Sequence, residues 1–159
     1  MGWGFTLKCT KCEYEMRAHL ESGYALPKET LETIHDMKAG KYGKAAQKFF
    51  QENSEGSVDC DRYLFRCKEC GDIQVEMVLD LYKPKEHVPE LSYPNIYPVV
   101  LPGYYDKAME LEHKCKKCGC KMELQNEDRF LEGISEGKIT CPNCGGHLEA
   151  DADSWFDWD

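Results

Sequence analysis

Apolar and polar residues alternate over residues 3 to 20, with Trp3, Phe5, Leu7 and Cys9 before a turn and Tyr14, Met16, Ala18 and Leu20 after it. A period of two turns one face of a strand toward a core, so this stretch predicts two short strands around Cys9-Thr10-Lys11-Cys12. The pattern recurs over 63–81: Tyr63, Phe65 and Cys67 lead into Cys67-Lys68-Glu69-Cys70-Gly71, and Ile73, Val75, Met77, Leu79 and Leu81 lead out. This predicts a second hairpin, whose outgoing strand is the longest in the protein. Between the hairpins, Pro27 suits a first helical turn, Leu31, Ile34 and Met37 repeat at helical spacing, and Gly40 is placed to stop the helix. Ala45, Ala46, Phe49 and Phe50 predict a second short helix ahead of the turn-rich Asn53 to Ser57. The hairpins are thus expected to be bridged by a helical insertion over about 26–53.

Five of the seven prolines, at 84, 89, 94, 98 and 102, alternate with Tyr93, Tyr97, Tyr104 and Tyr105. That composition predicts a stiff linker over 84–106 between two modules. A smaller copy of the hairpin theme follows over 107–150: Cys115-Lys116-Lys117-Cys118-Gly119, the strand-like Met122 and Leu124, a helical turn around Phe130, Leu131 and Ile134, and Ile139-Thr140-Cys141-Pro142-Asn143-Cys144-Gly145. Residues 151–159 form an acidic tail carrying Trp155, Phe156 and Trp158. Two roles are open for its rings: docking on a partner's groove with a basic rim, or folding back on the small core of Met122, Leu124, Phe130 and Ile139.

The four Cys-x-x-Cys units carry the chemistry. A two-residue spacer lets both sulfurs of a tight turn face one ion, and zinc takes four such thiolates tetrahedrally at about 2.3 Å, so two turns close one site. Four turns can be paired in three ways. Matched hairpin register assigns Cys9, Cys12, Cys67 and Cys70 to one zinc, and proximity in sequence assigns Cys115, Cys118, Cys141 and Cys144 to the other. A cross-braced pairing of turns one with three and two with four is set aside, because it forces a crossing through the proline segment. The fold class predicted is a small metal-stapled α+β protein of two hairpin modules, the first spanning 1–83 with its insertion.

These knuckles, of the form C-x-x-C-G with a C-P-x-C-G member at 141–145, resemble zinc ribbons and rubredoxin-like folds. The first departs from the pattern, with Glu13 where glycine is usual. The whole chain is similar to uncharacterised bacterial zinc-ribbon proteins, a likeness that implies no activity. The resemblance implies structural modules in nucleic-acid machinery, protein adaptors or, with iron at Cys115, Cys118, Cys141 and Cys144, electron carriers. Cys60 and Cys120 lie outside the paired turns and are expected to be free thiols. His113 and His147, close to knuckles, are expected to be surface residues, since four thiolates already fill each site.

The formal charge is −9, and two tetrathiolate sites holding divalent ions would deepen it to about −13. Residues 86–159 hold 7 bases against 15 acids, so an electrostatic partner of that half is expected to be basic. A field of this sign repels phosphate backbones, leaving Lys38 to Lys48 and Lys114 to Lys117 as the local concentrations that nucleic-acid binding would need. No basic start followed by an apolar run marks a secretory signal, so a cytoplasmic protein is expected, where paired cysteines are metal ligands before disulfides. The uncharged Leu91 to Tyr105 is too short and too broken by proline to span a bilayer. Enzyme signatures are weak. His147-Leu148-Glu149 follows Cys141-Pro142-Asn143-Cys144, whereas a zinc deaminase needs His-x-Glu ahead of its cysteines, and a closed tetrathiolate has no position for an activated water. A binding or adaptor module without catalysis is the expected function.

Overall fold

The computed structural model describes residues 2–21, 26–86 and 103–158, and for residues 26, 27 and 152–158 the backbone alone. The elements in chain order are β1 (Gly2–Cys9), β2 (Glu15–Leu20), α1 (Leu26–Lys38), α2 (Lys44–Glu52), β3 (Ser57–Val58), β4 (Arg62–Cys67), β5 (Ile73–Met77), β6 (Leu81–Pro84), β7 (Tyr105–Met109), β8 (Met122–Leu124), α3 (Glu127–Ser135) and β9 (Leu148–Trp158). They form an α+β fold with three small sheets of order β2-β1-β9, β3-β6-β7 and β5-β4-β8. No described helix is long and apolar enough to cross a membrane.

The chain does not divide at the proline segment. One compact unit takes residues 1–23, 62–76 and 112–159, and the other takes 24–61 and 77–111. The ends of the expected linker are strands: β6 and β7 pair antiparallel, with Pro84 opposite Tyr105, inside the second unit. Pro84 is accommodated because β3 pairs only with Leu81 and Tyr82 of β6, and the next ladder donor toward β7 is the N–H of Lys85, which donates to the Tyr104 carbonyl at 2.9 Å. Pro89, Pro94, Pro98, Pro102, Tyr93 and Tyr97 lie outside the described residues.

In the first unit, alternation on β1 and β2 buries Phe5, Leu7, Ala18 and Leu20 against Leu64 of β4, Ile73 of β5, Phe130 and Ile134 of α3, and Leu148 of β9. Side chains of this size contribute roughly 1.5–3 kcal/mol each when fully buried, so this one shared core joins two of the sheets. Helix α3 starts at Asn126, whose side-chain oxygen accepts from the Arg129 N–H at 3.1 Å, with Glu127 and Asp128 facing the positive end of the helix dipole. The acidic segment expected to be a tail is the outer part of β9, the longest described strand at 11 residues. Its backbone pairs antiparallel with β1, Gly4 opposite Phe156 and Gly2 opposite Trp158.

The second unit packs α1 and α2 with the β3-β6-β7 sheet around Ile34, Met37, Ala46, Phe49, Phe50, Val58, Cys60 and Leu81. Leu31 is not part of the buried stripe of α1. It is 51% exposed, and the inward face is Thr30, Thr33, Ile34 and Met37. The strand expected to run on to Leu81 stops at Met77. Leu79 adopts a left-handed φ of 59°, and the chain turns there with the N–H groups of Val78 and Leu79 donating to the carbonyls of Asp61 and Asp59. Alternation survives across this break because β6 resumes it in a different sheet.

Candidate metal centres

Each knuckle is built by the same backbone bonds. The first cysteine's N–H donates to the carbonyl five residues on: Cys9 to Tyr14 at 3.0 Å, Cys67 to Asp72 at 2.9 Å, Cys115 to Cys120 at 2.8 Å and Cys141 to Gly146 at 2.8 Å. Gly71, Gly119 and Gly145 close three of the turns at φ of 73°, 75° and 68°, where a Cβ would be strained. Glu13, in the fourth, is not among the positive-φ residues described, so that knuckle closes without the left-handed step.

The knuckles meet in a nested order. Cys9, Cys12, Cys141 and Cys144 form one cage, and Cys67, Cys70, Cys115 and Cys118 form the other, each with its four sulfurs within 4.8 Å of one another. The sequence-based grouping of turn one with two and three with four is therefore corrected: the first knuckle joins the last, and the second joins the third. Strand register is the cause. Cys9 sits opposite Leu148 and Cys67 opposite Met122, in each case the residue four after the last cysteine of the partner knuckle. Isolated bridges at the same offset, Thr140 with His147 and Lys114 with Lys121, complete the equivalence. Both cages belong to the first unit, so the expected modules 1–83 and 107–150 do not each hold one. The iron site imagined at Cys115, Cys118, Cys141 and Cys144 is split between the two cages.

Inter-knuckle sulfur distances are 3.5 Å for Cys9–Cys144, 3.6 Å for Cys12–Cys141, 3.4 Å for Cys67–Cys118 and 3.6 Å for Cys70–Cys115. A disulfide needs about 2.05 Å. A tetrahedral ion with bonds of about 2.3 Å needs sulfur–sulfur edges of about 3.8 Å, so the donor set fits such an ion after a slight expansion. Backbone N–H groups of Lys11, Asn143 and Gly146 point at Cys9, Cys141 and Cys144, each at 3.4 Å. The Lys11 N–H is the main reason the Cys9 thiol falls to about 6, and the Cys70 N–H draws Cys67 down to about 7. The N–H of Tyr14 also lowers Cys12, yet Cys144, burial and the remaining sulfurs outweigh it and push that thiol up to about 12. Cys118 rises for the same reason, with Cys67 and Cys70 outweighing the N–H of Cys120. One thiol in each cage thus ionises readily and its anion opposes a neighbour, a conflict that a bound divalent cation resolves.

The other candidates fall outside the cages. Cys60 is 1% exposed in the second unit, its thiol pushed to about 11 by burial and held by Thr33 and Thr30. Cys120 is exposed. The His113 ring lies 4.1 Å from that of Phe65, and the His147 carbonyl accepts from the N–H of Thr10 at 3.0 Å. The lysine concentrations are largely engaged: Lys41 with Asp36, Lys48 with Glu52, Lys116 with Glu76, Lys38 over the Phe50 ring, and Lys117 with the Pro142 carbonyl.

Sequence reasoning missed Gly146. A Cβ there would lie 3.1 Å from both Cys144 Sγ and Cys9 Sγ, so a side chain at this position would press on the cage of Cys9, Cys12, Cys141 and Cys144. The doubled glycine after Cys144 was the available signal. No protein-family model, curated protein or solved structure matches the chain.

Proposed function

We propose that each cage binds one zinc ion, that both ions are structural, and that the chain is a non-catalytic protein-interaction or adaptor module of the cytoplasm. The observation that carries this reading is the pair of closed four-sulfur cages, each drawn from two knuckles and set at the end of a three-stranded sheet. Four thiolates complete a zinc coordination sphere and leave no position for substrate or activated water. When bound, each ion ties together strands that are far apart in sequence and offsets the repulsion among its thiolates. Sulfurs held at ligand spacing instead of disulfide spacing support a reducing compartment. The net charge of −9 favours a basic protein partner, and pairing of the lysines with nearby acids speaks against a nucleic-acid surface.

Elemental analysis of the purified full-length chain tests the reading. Two zinc ions per chain are expected, and complete chelation is expected to abolish the β signal of the first unit in circular dichroism. One ion per chain, or the visible absorption of an iron tetrathiolate, overturns it.

A further inference from the structure

The two cages share supports. Tyr14 and Asp72 occupy the same place in their knuckles, five residues after the first cysteine, and each accepts that cysteine's N–H. Their own N–H groups serve the second sulfur, Tyr14 that of Cys12 and Asp72 that of Cys70. The Tyr14 ring packs against the core shared by the sheets. On the opposite pair of knuckles, Lys117 Nζ donates to the Pro142 carbonyl at 2.9 Å. Lys117 lies between the ligands Cys115 and Cys118, and Pro142 follows the ligand Cys141. Cys141 and Ile73 also fall in one buried cluster, so the core behind one cage is continuous with the core behind the other.

We propose that the two metal sites load cooperatively, coupled by the Lys117–Pro142 contact between a knuckle of one cage and a knuckle of the other and by the buried core that both cages stand on. The inference rests on both cages binding zinc. The first ion fixes two knuckles and the core they stand on. Fixing the Cys115 knuckle holds Lys117 where it meets Pro142, beside the ligand Cys141 of the other cage. The ordering cost met by the first ion is then not met again by the second, which raises its affinity without any new ligand. By linkage the coupling is the same whichever cage fills first.

Native mass spectrometry of the metal-stripped full-length chain, with one equivalent of zinc added, reads the coupling directly. Independent sites of equal affinity place about half the molecules in the one-zinc form, whereas a tenfold coupling leaves about a quarter there and enriches both empty and two-zinc forms. A depleted one-zinc form is expected. Lys117→Met keeps all eight ligands and is expected to raise the one-zinc fraction toward half while still reaching two zincs at saturation. A one-zinc fraction of half or more in the unaltered chain overturns the coupling while leaving two-site binding intact, as does a Lys117→Met profile identical to it. Failure of the unaltered chain to take up two zincs at saturation refutes the metal reading itself.

Discussion

Gly145 and Gly146 stand side by side after Cys144, and the structure requires each for a different reason. Gly145 has φ of 68° and open space where a Cβ would sit, so Gly145→Ala is penalised by backbone conformation alone. That cost is roughly 1 kcal/mol, about fivefold in an equilibrium constant. Gly146 is penalised by contact: an added Cβ falls 3.1 Å from Cys144 Sγ, Cys9 Sγ and Lys11 Cβ, whereas ordinary contact begins at 3.4 Å. Relieving the overlap moves two ligand sulfurs by a few tenths of an ångström, beyond the roughly 0.2 Å that a metal–ligand distance tolerates. A loss of about 10- to 100-fold in zinc affinity at this cage is expected, the range seen when groups supporting metal ligands are altered. The equivalent place in the other cage carries Cys120, so a knuckle can form around a side chain, and the requirement at Gly146 comes from the approach of Cys9 and Lys11. Zinc retention against a graded chelator, measured for both variants, discriminates. Gly146→Ala should lose its weaker-held zinc at the lower chelator concentration, and retention equal to or better than that of Gly145→Ala would refute the steric argument.

With zinc bound, a thiol reagent is expected to label Cys120 rapidly and Cys60 only after unfolding, since Cys60 is 1% exposed, and peptide mapping checks this. Rapid labelling of Cys118 with Cys120 protected would exchange their roles. Asp59 is buried beside Asp80, Asp61, Tyr82 and Lys107, and burial, then the neighbouring carboxylates, outweigh the Asp61 N–H and Lys107 to lift its carboxyl from 3.8 to about 7. Because the folded state then binds the extra proton, stability of the second unit should fall by a few kcal/mol as pH rises from about 4 to 7 and level off above. Asp59→Asn should flatten that slope in urea melts at several pH values, and an unchanged slope would remove Asp59 as its source. Removing residues 152–159 deletes the pairing of Phe156, Asp157 and Trp158 with β1 and should lower the melting temperature by several degrees, whereas an unchanged melt would show that this part of β9 adds no stability.

The eight cage cysteines stand out in sequence because a knuckle is a local object, complete within a few residues. Which knuckles share an ion depends on strand pairing at long range, and local reading cannot supply it. One clue was nevertheless present. The first two knuckles have alternating strands both before and after them, while the last two are followed by an apolar residue at the same offset, Met122 and Leu148. A cage takes one knuckle of each kind, since the strand after the late knuckle pairs with the strand leading into the early one. Proline content misled about 84–106, where β6 and β7 pair at the ends of the segment. Period-two alternation likewise concealed the bend at Leu79, because it reports which side faces a core and not which sheet a strand joins.

Nesting also has a consequence for the nascent chain. Cys67 and Cys118 are 51 residues apart, but Cys12 waits for Cys141, 129 residues later. At about 5–20 residues per second, that wait is roughly 6 to 26 s. During that wait, the next knuckle to emerge is that of Cys67 and Cys70, which belongs to the other cage. The adjacent pairing that the folded protein avoids is thus the one that synthesis offers first, and a metal ion captured there would have to be surrendered before either proper cage could close.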